Sequence, residues 1–152
     1  MDTPDIYQRE LKIDADAATV FAFFTDPQRL MRWVGVSADL DPRPGGLYLL
    51  DVDGSHVVRG EFKEVVPVSR LAYTFGWQNR ADVPPGSSLI EIDLTPTNGS
   101  TVVHFKHSGL PPAAVPDHTS GWNHYLDRLI IAASGRDPGP DPGPDSRSQT
   151  GR

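Results

Sequence analysis

The 152-residue sequence contains no cysteine. That absence excludes disulfide staples, thiolate nucleophiles, Cys-ligated zinc and iron–sulfur clusters. Long hydrophobic runs are missing too; none approaches the ~20 apolar residues that a membrane-spanning helix needs. Basic residues are the minority, 14 Lys and Arg against 20 Asp and Glu. The resulting charge of −6 disfavours a nucleic-acid backbone or an anionic membrane surface as partner. The opening Met1-Asp2-Thr3-Pro4-Asp5 has no signal-peptide character, and with the absent cysteines it points to the cytoplasm. What is present, 38% hydrophobic and 22% charged residues at this length, is the composition of one globular domain.

Proline and glycine are unevenly spread. From Gly135 to Arg152, eight of eighteen positions are Gly or Pro and none is Val, Ile, Leu or aromatic. The stretch contains a tandem Asp-Pro-Gly-Pro, at 137–140 and 141–144. Such a composition predicts a disordered tail over 135–152 behind a domain of residues 1–134.

Within the domain the hydrophobic period changes several times. Ile6 to Ile13 reads as a strand. Asp14 and Asp16 offer capping carboxylates before Val20, Phe21 and Phe24 at helical spacing; Asp26-Pro27 then starts a second short helix bearing Leu30, Met31 and Trp33. After the break at Pro42 to Gly46, one-sided alternating runs follow at 46–52, 56–66, 71–77, 89–95 and 101–107, with Asn98-Gly99 as a two-residue hairpin turn. Asp117–Ser134 reads as one long helix with Trp122, Tyr125, Leu126, Leu129, Ile130 and Ala133 as its apolar stripe, stopped by Gly135. The order is strand, two short helices, about six strands, one helix: an α+β plan with about seven antiparallel strands.

Seven strands make a face ~30 Å wide, whereas one helix covers only ~10–12 Å. The sheet must therefore curl around the helix, and curling around one rod leaves interior space. The inward positions of the strands and the facing helical residues supply a candidate ligand-binding lining: Trp33, Tyr48, Phe62, Tyr73, Phe75, Trp77, Ile92, Phe105, His107, Trp122 and Tyr125. The three tryptophans are expected to ring one cavity, with His107 as a polar tip among them.

Several of these residues also carry a resemblance. Asp26-Pro27 through Arg32-Trp33, Pro44-Gly45-Gly46-Leu47-Tyr48, Gly60-Glu61-Phe62, Leu71 to Trp77, Pro84 to Ser88, and His107-Ser108-Gly109-Leu110-Pro111 followed by His118, Gly121-Trp122 and Tyr125-Leu126 stand in a specific order. In that order they resemble the activator-of-heat-shock-protein-90-ATPase-like (C-terminal domain) branch of the START-like, or SRPBCC, superfamily. Several relatives carry Glu after the tryptophan where this chain has Gln78, so the resemblance implies no carboxylate role at the pocket mouth here. The resemblance implies the helix-grip fold, a curled sheet around a long C-terminal helix enclosing a cavity.

A fold does not define a reaction, so the chemistry rests on the side chains. His104 and His107 point to opposite faces of a strand, and His118 and His124 diverge on the helix, so no histidine pair chelates a metal. No Gly-x-Ser-x-Gly or phosphate loop is present, and no cofactor is implied. His107 reads as a structural histidine in preference to a general base. Three functions follow. The first is a module binding a hydrophobic or aromatic small molecule. The second is a polyketide cyclase/aromatase-like enzyme using Tyr73, His107 or Tyr125 in the same pocket. The third is a co-chaperone-like module acting on a heat-shock ATPase, ranked last because the name-giving co-chaperones carry an additional N-terminal domain. Leu47 and Leu49, on the outer side of their strand, add a candidate homodimer surface.

Overall fold

A computed structural model describes residues 6–143. Its elements run β1 (Ile6–Ile13), α1 (Ala17–Thr25), α2 (Pro27–Leu30), β2 (Ser37–Leu40), β3 (Leu47–Asp51), β4 (Val57–Val66), β5 (Arg70–Phe75), β6 (Ser88–Thr97), β7 (Ser100–Ser108), a 3-10 turn at Pro112–Ala114, and α3 (Val115–Ala133). The seven strands form one antiparallel sheet in the order β1-β7-β6-β5-β4-β3-β2. The α+β helix-grip plan expected from the sequence is the plan observed.

Local chemistry sets the boundaries. Asp16 caps α1 through the Thr19 amide at 2.8 Å. Asp26 serves two helices at once: its N–H closes α1 on the Ala22 carbonyl, and its carboxylate caps α2 through the Gln28 amide. At the β6–β7 turn, Asn98 and Gly99 both take positive φ, 51° and 85°, as a two-residue hairpin of this hand requires. Helix α3 ends where Gly135, at φ 93°, lets its own N–H and that of Arg136 reach back to Ala132 and Ile131.

The curl is concentrated in β4. Residues 57–61 pair with β3, residues 62–66 pair with β5, and the register shifts between Phe62 and Glu64. At Gly60 the chain passes so close to the Thr74 carbonyl that a Cβ would collide with it. The sheet thus bends where a side chain is missing. Beyond β5 the chain stays in contact with β4, through Arg59 N–H to Gly76 O and a bridge between Val58 and Trp77. That contact carries Trp77 inward although it lies outside the strand proper.

The sequence reading gives β2 no strand of its own. Four residues with two polar positions, half of them exposed, leave no readable alternation, and only pairing with β3 defines the element. The composition of 135–152 predicts disorder, yet the described part, 135–143, is held against α3 by polar contacts that composition does not reveal. Residues 144–152 lie outside the described residues.

Candidate functional site

The core fills most of the concave face. Tyr48 stacks on Tyr73 with ring centroids 4.0 Å apart, and Phe62 meets both edge-on. Phe105 packs against Tyr7 and Trp122. Ile92 is buried in the same cluster. These five proposed ligand contacts, Tyr48, Phe62, Tyr73, Ile92 and Phe105, do not line the cavity.

The cavity lies to one side of that core, between the β3–β5 end of the sheet and α3. About 90 Å³ of it is open to the centre of a water-sized sphere. Leu50, Val58, Phe75 and Trp77 form the sheet wall; His118, Gly121, Trp122 and Tyr125 form the helix wall. Val34 and Val52 close one end, and Arg80 with Asp117 forms the other rim. The rim is an ion pair, Arg80 to Asp117 at 2.8 Å, with Asp82 on the same guanidinium. Of the proposed contacts, Phe75, Trp77, Trp122 and Tyr125 reach the cavity. Trp33 does not, because its indole N–H turns away to the Phe23 carbonyl at 2.9 Å and its ring packs on Phe24. The expectation that three tryptophans ring one cavity holds for two.

Two histidines support the aromatic walls, His118 within the cavity lining and His107 behind it and so not a ligand contact, each accepting a hydrogen bond from a tryptophan. Trp122 Nε1 donates to His107 Nδ1 at 2.9 Å, and Trp77 Nε1 donates to His118 Nε2 at 2.9 Å. An indole N–H is only a donor, so both tautomers are fixed. His107 must carry its proton on Nε2 and donate it to Ser88 Oγ at 2.8 Å, and Ser88 passes its own proton to the Phe75 carbonyl at 2.7 Å. His118 donates from Nδ1 to the Ala114 carbonyl at 2.7 Å.

The Ser88–His107 contact has the length of a nucleophile–base pair and the opposite polarity. The imidazole donates to the hydroxyl and has no free lone pair with which to take its proton. Burial, reinforced by repulsion from His118, pushes the His107 imidazole down to about 3. The tyrosines, among them the candidate acids Tyr73 and Tyr125, move the other way. Burial pushes Tyr48 up to about 12. Tyr73 is raised well above the phenol range by burial and then by the charge of the neighbouring Tyr48 phenol, and Tyr125 is raised by burial and then by the Asp141 charge. None of these groups is poised to exchange protons near neutrality.

Gly121, quoted above only as part of a family motif, is a wall residue that the proposed ligand contacts do not include. It lies inside α3, where glycine costs about 1 kcal/mol relative to alanine, and a Cβ built on it meets nothing within 4 Å. A glycine in mid-helix beside a tryptophan was the available signal. Val34, Leu50, Val52 and Val58 gave none, being ordinary strand and loop aliphatics. Among the described residues no three His, Asp or Glu side chains are grouped as a metal site, and no helix is long and apolar enough to cross a membrane.

A seven-stranded curl closed on one long helix, with a side cavity between them, defines a START-like helix-grip domain. The profile of the activator of Hsp90 ATPase homolog 1-like proteins matches residues 14–133, and the chain belongs to that family. It is 51% identical to an AHSA1-like protein of Rhizobium etli known from a solution structure, with a TM-score of 0.73 over 93% of this chain and 92% of that one. It shares its fold with DynU16, a protein of the dynemicin biosynthetic locus, at 22% identity and a TM-score of 0.77, covering 91% of this chain and 51% of that one. It shares it also with the Aha1 dimer of Colwellia psychrerythraea, at 14% identity and a TM-score of 0.74, covering 86% and 96%. Among curated proteins none matches.

Proposed function

We propose that the protein is a cytoplasmic binding module for a hydrophobic or aromatic small molecule, held in the cavity between sheet and α3. The observation that carries this reading is Gly121, a helix-interior glycine that leaves the wall bare beside an apolar cavity. The space is of the scale of one aromatic ring or a short alkyl chain. Among the described residues no buried side-chain polar atom lacks a partner, so the inner walls offer a ligand no unpaired group. The bound end is therefore apolar, and any polar substituent turns toward the Arg80–Asp117 rim. The same satisfaction of partners, with tyrosines shifted up and His107 shifted down, favours binding over cyclase-type acid–base chemistry. The family name carries a co-chaperone reading; the cavity favours the small molecule.

Fluorobenzene, observed by 19F NMR and by the emission of Trp77 and Trp122, tests the reading. Wild-type protein is expected to bind it saturably at one site. Gly121→Leu, which fills the bare wall, is expected to weaken binding by about tenfold or more, a change of about 1.4 kcal/mol, without lowering the melting temperature. Unsaturable wild-type binding, or full affinity in Gly121→Leu, refutes it.

Self-association belongs to the same proposal. Leu47 and Leu49 are half-buried on the outer side of β3, between Tyr48 and Leu50, which face the core. A homodimer through this face buries both leucines.

A further inference from the structure

Resting on that reading of the cavity, we infer that residues 137–143 form a strap that closes the cavity's Tyr125 end, and that a ligand reaches the cavity by release of this strap. The strap is the tandem Asp-Pro-Gly motif, and each repeat is a self-made turn. Asp137 Oδ1 accepts from Gly139 N and Asp141 Oδ1 from Gly143 N, both at 2.8 Å. Proline fixes φ before each glycine, and Gly139 and Gly143 take φ of 79° and 85°. A chain so restricted loses little entropy on docking, which offsets its lack of apolar side chains.

Two side chains of α3 hold it. His124 Nε2 meets Asp141 Oδ1 at 2.7 Å, and the Arg128 guanidinium donates to Gly139 O at 2.9 Å while its Nε reaches the Trp33 carbonyl. The Asp141 charge also acts on Tyr125, whose phenol it helps push up.

Beneath the strap lies a second, polar cleft of about 540 Å³ by the measure used for the cavity, bounded by Trp33, Asp53, Arg128 and residues 139–143. Val34, Val52 and Tyr125 line both spaces. Tyr125 is thus part of the partition, and its ring packs edge-on against His124, the residue that holds Asp141. When Asp141 leaves, His124 loses its partner and the Tyr125 ring packed on it is free to swing, joining a narrow apolar cavity to a roomy polar antechamber. That arrangement suits an amphipathic ligand, with its ring past Tyr125 and its polar part under the strap.

The test uses the full chain, as wild type, Asp141→Ala and Asp41→Ala. Acrylamide quenching of tryptophan emission reports, without any ligand, how well the strap covers Trp33; 19F exchange of fluorobenzene reports access to the cavity. In Asp141→Ala, quenching is expected to rise, and fluorobenzene exchange to quicken by about tenfold, the gain in open population that loss of the Asp141 hydrogen bonds produces. Asp41→Ala, which removes an exposed carboxylate paired with Arg43 away from the cavity, is expected to leave exchange unchanged. Unchanged quenching or exchange in Asp141→Ala overturns the strap, as does an equal acceleration in Asp41→Ala. If no form binds fluorobenzene while quenching still rises in Asp141→Ala, the binding reading falls and the strap stands as the cover of this end.

Discussion

Acid should destabilise this protein well above the pH at which its carboxylates titrate, and His107 is the reason. In the unfolded chain an imidazole protonates near pH 6.5. In the fold His107 is fully buried, its Nδ1 is occupied by the Trp122 indole, and its affinity for a proton drops to about 3. The unfolded state therefore binds the extra proton, and stability falls as pH drops below about 6.5, continuing until about pH 3. Between pH 7 and pH 5 the loss from this one group is about 2 kcal/mol. Glu91, whose hydrogen bond from Arg70 holds its carboxyl low, stays ionised through this window. Urea unfolding at pH 7, 6 and 5 measures the slope, and His107→Asn isolates the contribution. Asparagine offers an amide oxygen near the Nδ1 position and does not titrate. It should be less stable at pH 7 by about 1–3 kcal/mol and lose about 2 kcal/mol less than wild type between pH 7 and pH 5. Equal slopes for the two proteins would refute the argument.

Val68, at the tip of the β4–β5 turn, takes φ 73°, a left-handed conformation that a β-branched residue adopts at a cost. Val68→Asn is expected to stabilise the protein by about 0.5–1 kcal/mol in urea titrations; an unchanged midpoint would show that the turn relaxes freely. Self-association through β3 is checked by sedimentation: wild type should sediment as a dimer and Leu49→Lys as a monomer, and a dimer that survives the substitution lies on another surface.

The sheet and its helix were legible because one-sided alternation and the Trp122–Ala133 stripe state which face is inward, whatever the partner. The cavity was less so. Inwardness marks both a core ring and a ligand contact, so Tyr48, Phe62 and Tyr73, which pack on one another, read the same as Trp77 and Trp122, which border empty space. Which inward residues face a void depends on the bend at Gly60 and on the missing side chain at Gly121, both properties of packing across distant segments. The Trp77–His118 bond spans 41 positions, and no local pattern announces it. Trp33 was misplaced for a similar reason: its spacing was right, but a carbonyl ten residues earlier captures its indole. In the tail, composition registers the absence of apolar anchors but not that Asp141 and the Gly139 carbonyl meet α3 through polar contacts.

The position of β1 at the far edge of the sheet has a consequence for biosynthesis. Among the described residues its only strand partner is β7, in a ladder running from Ile6 opposite Ser108 to Ile13 opposite Thr101. A ribosome releases β1 first and β7 roughly 100 residues later, so at about 5–20 residues per second β1 waits about 5–20 s for its pairing groups. Throughout that interval Tyr7, Leu11 and Ile13, all buried in the finished core, stand on an unpaired edge. The alternating Gln8, Glu10 and Lys12 on the other face are then more than surface decoration. They keep the first strand soluble during the one period in which nothing else covers it.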